Sequence, residues 1–414
     1  MTSMTPLENK VLKLVDENEV IRFVQDLVRI PSINPYEKEC ADFLANKMKE
    51  FGLNVQIQEV EKKRPNVIGT LEGVDVNPTL LIEGHTDTVG LGDKKKWTVD
   101  PFGGNLEGNC LYGRGSMDMK GGLGAAVIAA KALVEAGVRL KGKLMLAGFV
   151  DEEGLMKGVK HFVRSGMATG IDAAITVEPT FRMGIGTCFA GRTRANITTL
   201  GVPTHSGINP RSGLGVNAIQ KMGELIQAIA KEPPRHKEHH LYKNSHWQVV
   251  TIEGGYPGEA TVPDSCTVTV DCRNVPGHGV DDVWKYMNEI IENLKKEDKD
   301  FRANVEILED YSAPSWETPV DAPIVQAVHQ SYQKAFGNAP PLNVAPEVPL
   351  GSGYALKVAT DLHFLAPEGI SCVCTGPGGF GAHAENEFVL TDHVVGIAKV
   401  LALTIIQFLG IGNG

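Results

Sequence analysis

The chain has 414 residues, an apolar share of 42% and a formal net charge of −10. That length exceeds one ordinary domain and suits two, each with a core of useful size. The acidic balance, with no long basic run, argues against a nucleic-acid partner or an anionic membrane surface.

The opening segment, Met1 to Val20, carries acids where a secretory signal needs an apolar centre, so the cytoplasm is the expected compartment. Apolar periodicity predicts helices over 18–27 and 37–51 and strands over 54–59, 66–70 and 79–83. A helix over 120–137 begins glycine-rich and continues with an alanine-rich face. A strand over 143–150, a helix near 159–165 and a strand over 173–177 follow. This alternation implies an α/β fold with a mixed, mostly parallel sheet covered by helices. After Thr187 the pattern changes to a strand over 193–200, a helix over 215–231, strands over 249–254 and 266–273, a helix over 280–294 and a strand over 304–308. That βαββαβ order is the ferredoxin-like unit. An inserted domain over 188–311 is therefore expected within a split catalytic domain made of 1–187 and 312–414. Seven scattered cysteines with no CxxC pair suggest neither a disulfide framework nor a thiolate zinc site. The apolar run from Val394 to Ile411 is interrupted by Gly396, Lys399, Gln407 and Gly410, short of the ~20 uninterrupted residues a bilayer span needs, and reads as a core helix.

Five clusters of acids and histidines each follow an apolar run that reads as a strand: His85 with Asp87, Asp118, Glu152 with Glu153, Glu178, and His383. Carboxylate oxygens mixed with imidazole suit a divalent first-row metal, and the strand ends of an open parallel sheet are where such sheets hold ligands. His85 and Asp87, two apart at a strand end, share a face. One can bind metal while the other accepts the imidazole's second N–H, the alternative being a solvated loop tip. Asp118 can bridge two cations, one oxygen for each, or serve as a helix N-cap. Of the adjacent Glu152 and Glu153, one suits a ligand and its neighbour a general base, against an exposed acidic turn.

Together these elements resemble the M20 metallopeptidase family, almost end to end. The likeness is carried by GHTDTV, WTVDPFGG, LYGRGSMDMKGG, VDEEG, VEPT, GVPTHSGINPRSGLGVNAI, VPDSCTVTVDCRNVPG and TDLHFLAPEGISCVCTGPGGFGAHAENEFV. The resemblance implies that His85 and Glu178 bind one metal, Glu153 and His383 the other, and that Asp118 bridges them. It makes Asp87 the group that orients His85 and Glu152 the base, with a cis peptide after Asp118. It also implies an oxyanion donor in His205, a substrate-carboxylate contact in Arg273, and pocket roles for Asn217 and Gly353. For Arg273 a structural ion pair with Asp271 is the alternative. The likeness departs at Ala260, where many relatives carry asparagine, so the acyl group does not carry over.

The implied cofactors are two divalent cations, zinc first, with manganese and cobalt also accepted by such donors. The implied activity is hydrolysis of an amide C–N bond in an N-acyl amino acid or small peptide, of deacylase, desuccinylase or carboxypeptidase type. The inserted domain is then a lid and dimerisation domain, and a homodimer is expected. Two rival readings are a C–N hydrolase or deaminase acting on a non-acyl amine, and a binding protein that keeps the fold without catalysis. Loss of Glu152 or a ligand would mark the latter, and none is lost. Gly376 to Gly381 spells GxGxxG after a strand, but His383 and acids stand where a dinucleotide-binding helix would begin. No GxSxG nucleophile elbow occurs.

Overall fold

A computed structural model describes residues 4–180, 182–209, 212–232, 234–236, 238–342 and 359–412. The chain divides into two compact units. Phe189–Trp316 forms one, and the residues up to Cys188 with 317–342 and 360–412 form the other. The return crossing falls at 316/317 rather than after 311, because Ala313 pairs with Arg192 and extends the second unit's edge.

The first unit is built on six strands in the order Asn54–Glu61, Arg64–Leu71, Lys143–Phe149, Thr79–His85, Ala173–Thr176 and Ser371–Cys374. The last four are mutually parallel, and the first two pair antiparallel. Thr79–His85 is buried at every position, as a central strand covered on both faces must be. Leu80, Ile82, Leu144 and Leu146 join one core with the helices Glu17–Val28, Gly121–Glu135, Pro323–Phe336 and Thr391–Leu409. Asp16 caps the first of these, its Oδ1 accepting the Glu19 N–H at 2.8 Å. Thr391–Leu409 has the length and apolarity to cross a bilayer. In this fold it packs against Gly121–Glu135 and Pro323–Phe336, buried along most of its length.

Parallel strands place their carboxyl ends on one edge. From that edge emerge His85, the turn Val150–Glu153, and Val177–Glu178. A small antiparallel sheet adds to it, in the order Gly379–Phe380, Phe388–Leu390, Cys110–Tyr112, Asn105–Glu107. Its strands are only two or three residues long, too short to leave a period in the sequence. By pairing Phe388 with Tyr112 it ties the loop carrying His383 to the loop leading to Asp118.

The second unit is a four-stranded antiparallel sheet in the order His246–Gly254, Ser265–Asn274, Gly191–Leu200, Ala303–Ile307. Gly191–Leu200 alternates buried and half-buried residues along its length. Its buried face, with Ile197, Val268 and Val270, meets Met222 and Leu225 of helix Ala218–Lys231 and Met287 and Ile291 of helix Val280–Glu297. The chain order is the expected βαββαβ.

Helix Gly121–Glu135 closes on the strand end that delivers Glu178. A Cβ on Gly122 would fall 2.0 Å from the Val177 carbonyl oxygen. Gly122→Ala should therefore lower stability by about 1–3 kcal/mol or more, since the obstacle is backbone and cannot yield cheaply. Gly223, where an added Cβ meets nothing within 4 Å, is the control, and Gly223→Ala should raise stability by about 0.5–1 kcal/mol in denaturant unfolding.

Candidate metal centre

His85 ends its strand fully buried, its ring held between two acids. Its Nε2 lies 3.1 Å from Asp118 Oδ1 and 3.7 Å from Glu178 Oε1. On the other side, His383 Nε2 lies 3.4 Å from Asp118 Oδ2 and 3.0 Å from Glu153 Oε2. The two oxygens of Asp118 thus face different histidines. Donor atoms of His85, Asp118 and Glu153 lie within 4.8 Å of one another, as do those of His85, Glu152 and Glu178. One cradle collects His85, Glu152, Glu153 and Glu178 from three strand ends, Asp118 from the segment Ser116–Lys120 and His383 from a loop.

Asp118 makes no capping bond. It sits in a kinked segment with φ −119° and ψ 93°, and the Asp118–Met119 peptide is cis. Asp87 differs from expectation. The second nitrogen of His85, Nδ1, bonds the backbone oxygen of Asp87 at 2.9 Å, while the Asp87 carboxylate stands 3.6 Å off. That carboxylate instead accepts the N–H groups of Glu152 and Glu153, each at 3.1 Å. A two-residue spacing brings the nearer carbonyl to the ring and frees the side chain for the adjacent strand.

The remaining candidates lie in the second unit or outside the described residues. His205 is exposed, its Nδ1 accepting the Gly207 N–H at 3.0 Å. Arg273 Nε donates to Asp271 Oδ1 at 2.7 Å, the ion pair held open as its alternative. Asn217 caps helix Ala218–Lys231, its Oδ1 accepting the Ile219 N–H at 2.9 Å and the Gln220 N–H at 3.3 Å. Gly353 lies outside the described residues. The GxGxxG run opens no helix and leads through a short strand to His383.

Several structural partners were not singled out by sequence. Glu387 is fully buried, and its Oε1 accepts the N–H groups of Met117 and Asp118 at 2.9 and 3.0 Å. Its Oε2 accepts Arg114 Nη1 at 2.6 Å. Lys120, also buried, donates to the carbonyls of Leu27 and Ile30 at 3.0 and 2.7 Å, at the carboxyl end of helix Glu17–Val28. The sequence signal for Arg114 and Lys120 was their place beside Asp118 in an otherwise apolar, glycine-rich stretch.

The cradle is overcharged with acid. Burial, then the neighbouring carboxylates, holds Glu152 and Glu178 well above the ordinary range, and Glu153 is raised for the same reasons. Two further buried acids, Glu83 at about 7 and Asp361 well above its usual value, are raised first by burial. Asp118 moves the other way: burial raises it, but hydrogen bonds from His383 and His85 outweigh that. Bonds to Asp118 and Glu153 raise His383 to about 10. Glu153 Oε1 is buried without a partner. Orphaned oxygen, mutually repelling carboxylates and two imidazoles form a donor set that divalent cations satisfy and protons satisfy poorly.

Acids and imidazoles gathered on the carboxyl edge of a parallel sheet, with a glutamate beside them, define the protein as a metal-dependent hydrolase. The sequence profile of peptidase family M20/M25/M40 matches residues 81–407, and the chain belongs to that family. It is an enzyme acting on C–N bonds. It is 26% identical to an N-formyl-4-amino-5-aminomethyl-2-methylpyrimidine deformylase of Bacillus subtilis, covering 96% of each chain. With a succinyl-diaminopimelate desuccinylase of Methylocella silvestris the identity is 29%, covering 64% of this chain and 68% of that one. Among solved structures it is similar to a dinuclear metal-binding M20 peptidase of Bacillus subtilis, with TM-score 0.72, 16% identity, and 95% and 98% of the two chains covered.

Protonation opposes metal. A histidine raised to about 10 stabilises the metal-free fold below its unfolded pKa of about 6.5, and that contribution is lost as pH rises through about 10. Cation binding at neutral pH must displace this proton. Titration calorimetry in two buffers of different ionisation enthalpy should therefore detect proton release, and affinity should climb with pH. Binding with no proton exchange would contradict the charge balance described here.

Proposed function

We propose that the protein is a dinuclear zinc amidohydrolase that splits the C–N bond of an N-acyl amino acid or small peptide, with Glu152 as general base. The observation that carries this reading is Asp118, whose two oxygens face separate histidines, with the buried Glu152 in the same cradle. His85 and Glu178 would hold one cation, Glu153 and His383 the second, and Asp118 both. When bound, such cations polarise an amide carbonyl and acidify an attacking water.

Glu152 takes a proton from that water as its oxygen adds to the carbonyl carbon. It then returns the proton to the leaving nitrogen as the C–N bond breaks, giving a carboxylic acid and an amine. Its burial suits the role of base, since a carboxylate whose pKa is raised by desolvation takes up the water's proton more readily. His205 is the proposed donor to the oxygen that gains charge. With the Gly207 N–H bonded to Nδ1, a neutral ring carries its proton on Nε2, which would be the donor. Arg273 and Asn217 are proposed to face the substrate's far end, Arg273 as a guanidinium suited to a carboxylate.

Zinc is proposed first, with cobalt and manganese also accepted by this carboxylate and imidazole donor set. A homodimer through 189–316 is supported by the sheet edge His246–Gly254, where Val250 is 49% and Ile252 60% exposed and a second copy would cover an unpaired strand. A cytoplasmic location accords with seven free thiols, as expected of a reducing compartment. A formyl or other small acyl group on a compact amine deserves first place in a substrate panel, because the relative matched end to end is named a deformylase.

Glu152→Gln should keep its metal by elemental analysis while kcat falls about 10²–10⁴-fold on the best substrate of the panel. Full turnover in that variant would remove Glu152 from the role of base. His205→Ala should lower kcat without changing metal content, and an unchanged kcat would exclude it from the chemistry.

A further inference from the structure

Asn34 lies between helix Glu17–Val28 and helix Lys38–Glu50, in a loop stitched to the strand end beyond His85. Its backbone N–H donates to the Thr88 carbonyl at 3.0 Å. From there its side-chain Nδ2 donates to two carboxylates at once, Asp87 Oδ2 and Asp151 Oδ1, each at 2.9 Å. Both acids control the Glu152–Glu153 turn. Asp87 accepts the backbone N–H of each glutamate. Asp151, the residue before them, is held at φ 68°, in the left-handed region, with its Oδ2 accepting the Leu155 N–H at 3.1 Å.

Two buried carboxylates aimed at one point repel unless a donor stands between them. Asn34 is that donor, and Arg64 supports it from the far side. Arg64 Nη2 donates to Asp151 Oδ1 at 2.8 Å and its Nε to Glu37 Oε2 at 2.9 Å. The glycine of Val150-Asp151-Glu152-Glu153-Gly154 fits the same junction: a Cβ there would lie 2.7 Å from Asp151 Oδ1 and 3.1 Å from Asn34 Nδ2.

We propose that Asn34 is a positioning residue, whose single amide nitrogen clamps Asp87 to Asp151 and so fixes where Glu152 and Glu153 point. The proposal rests on the assignment of Glu152 as base and Glu153 as metal-holding. Asn34→Asp, which keeps the shape and removes the amide donors, and Asn34→Ala test it directly. In each, kcat at saturating metal should fall about 10–100-fold with KM little changed, and zinc affinity measured by chelator competition without substrate should weaken by about tenfold. Gly154→Ala crowds the junction from the other side and should give the same signature, so the test survives an Asn34 variant that does not fold. A variant that merely melts earlier, with kcat and zinc affinity within about twofold of the parent, overturns the proposal. Failure of the base assignment looks different: Glu152→Gln stays active, while the zinc-affinity loss in the Asn34 variants persists through Glu153.

Discussion

Everything in the first unit answers one electrostatic constraint: several carboxylates must stay close together at the edge of a buried sheet. Glu152, Glu153, Glu178 and Asp118 repel one another in a low-dielectric setting, and left alone they would swing apart or retain protons. The fold holds them by their backbone. Two other buried acids each grip a consecutive pair of N–H groups, Asp87 those of Glu152 and Glu153, Glu387 those of Met117 and Asp118. The acidic side chains are thereby free to face inward while their main chain is fixed.

Each gripping acid is itself backed by a cationic or amide donor. Arg114 pairs with Glu387 and lies over the Trp97 ring at 5.4 Å, and Asn34 with Arg64 stands behind Asp87 and Asp151. Such pairs add little net stability once desolvation is counted, so their value is geometric. A centre whose donors are set before any cation arrives loses less on binding, which is the same advantage that orienting partners give to known metal sites.

The second unit solves a separate problem with separate means. Its sheet has its own core between Ile197, Val268, Met222 and Met287, as a domain inserted between Cys188 and Glu317 needs. The regular alternation of Gly191–Leu200 shows a sheet with one face covered by helices, unlike the continuous burial of Thr79–His85. That difference in pattern is why the change of architecture could be read near Thr187.

The sequence by itself determined the element types, the split α/β architecture and the residues gathered at the strand ends. These rest on local periodicity and on the rule that parallel strands end on one edge, both written into neighbouring positions. It missed the short strands around His383 and misjudged the Asp87 carboxylate. It also passed over Asn34, Arg114 and Glu387, because their meaning depends on partners far along the chain. Glu387 meets Met117 across 270 residues, and Asn34 meets Asp151 across 117. No local pattern encodes such a bond; only folding, which brings a buried donor to a buried acceptor, decides it.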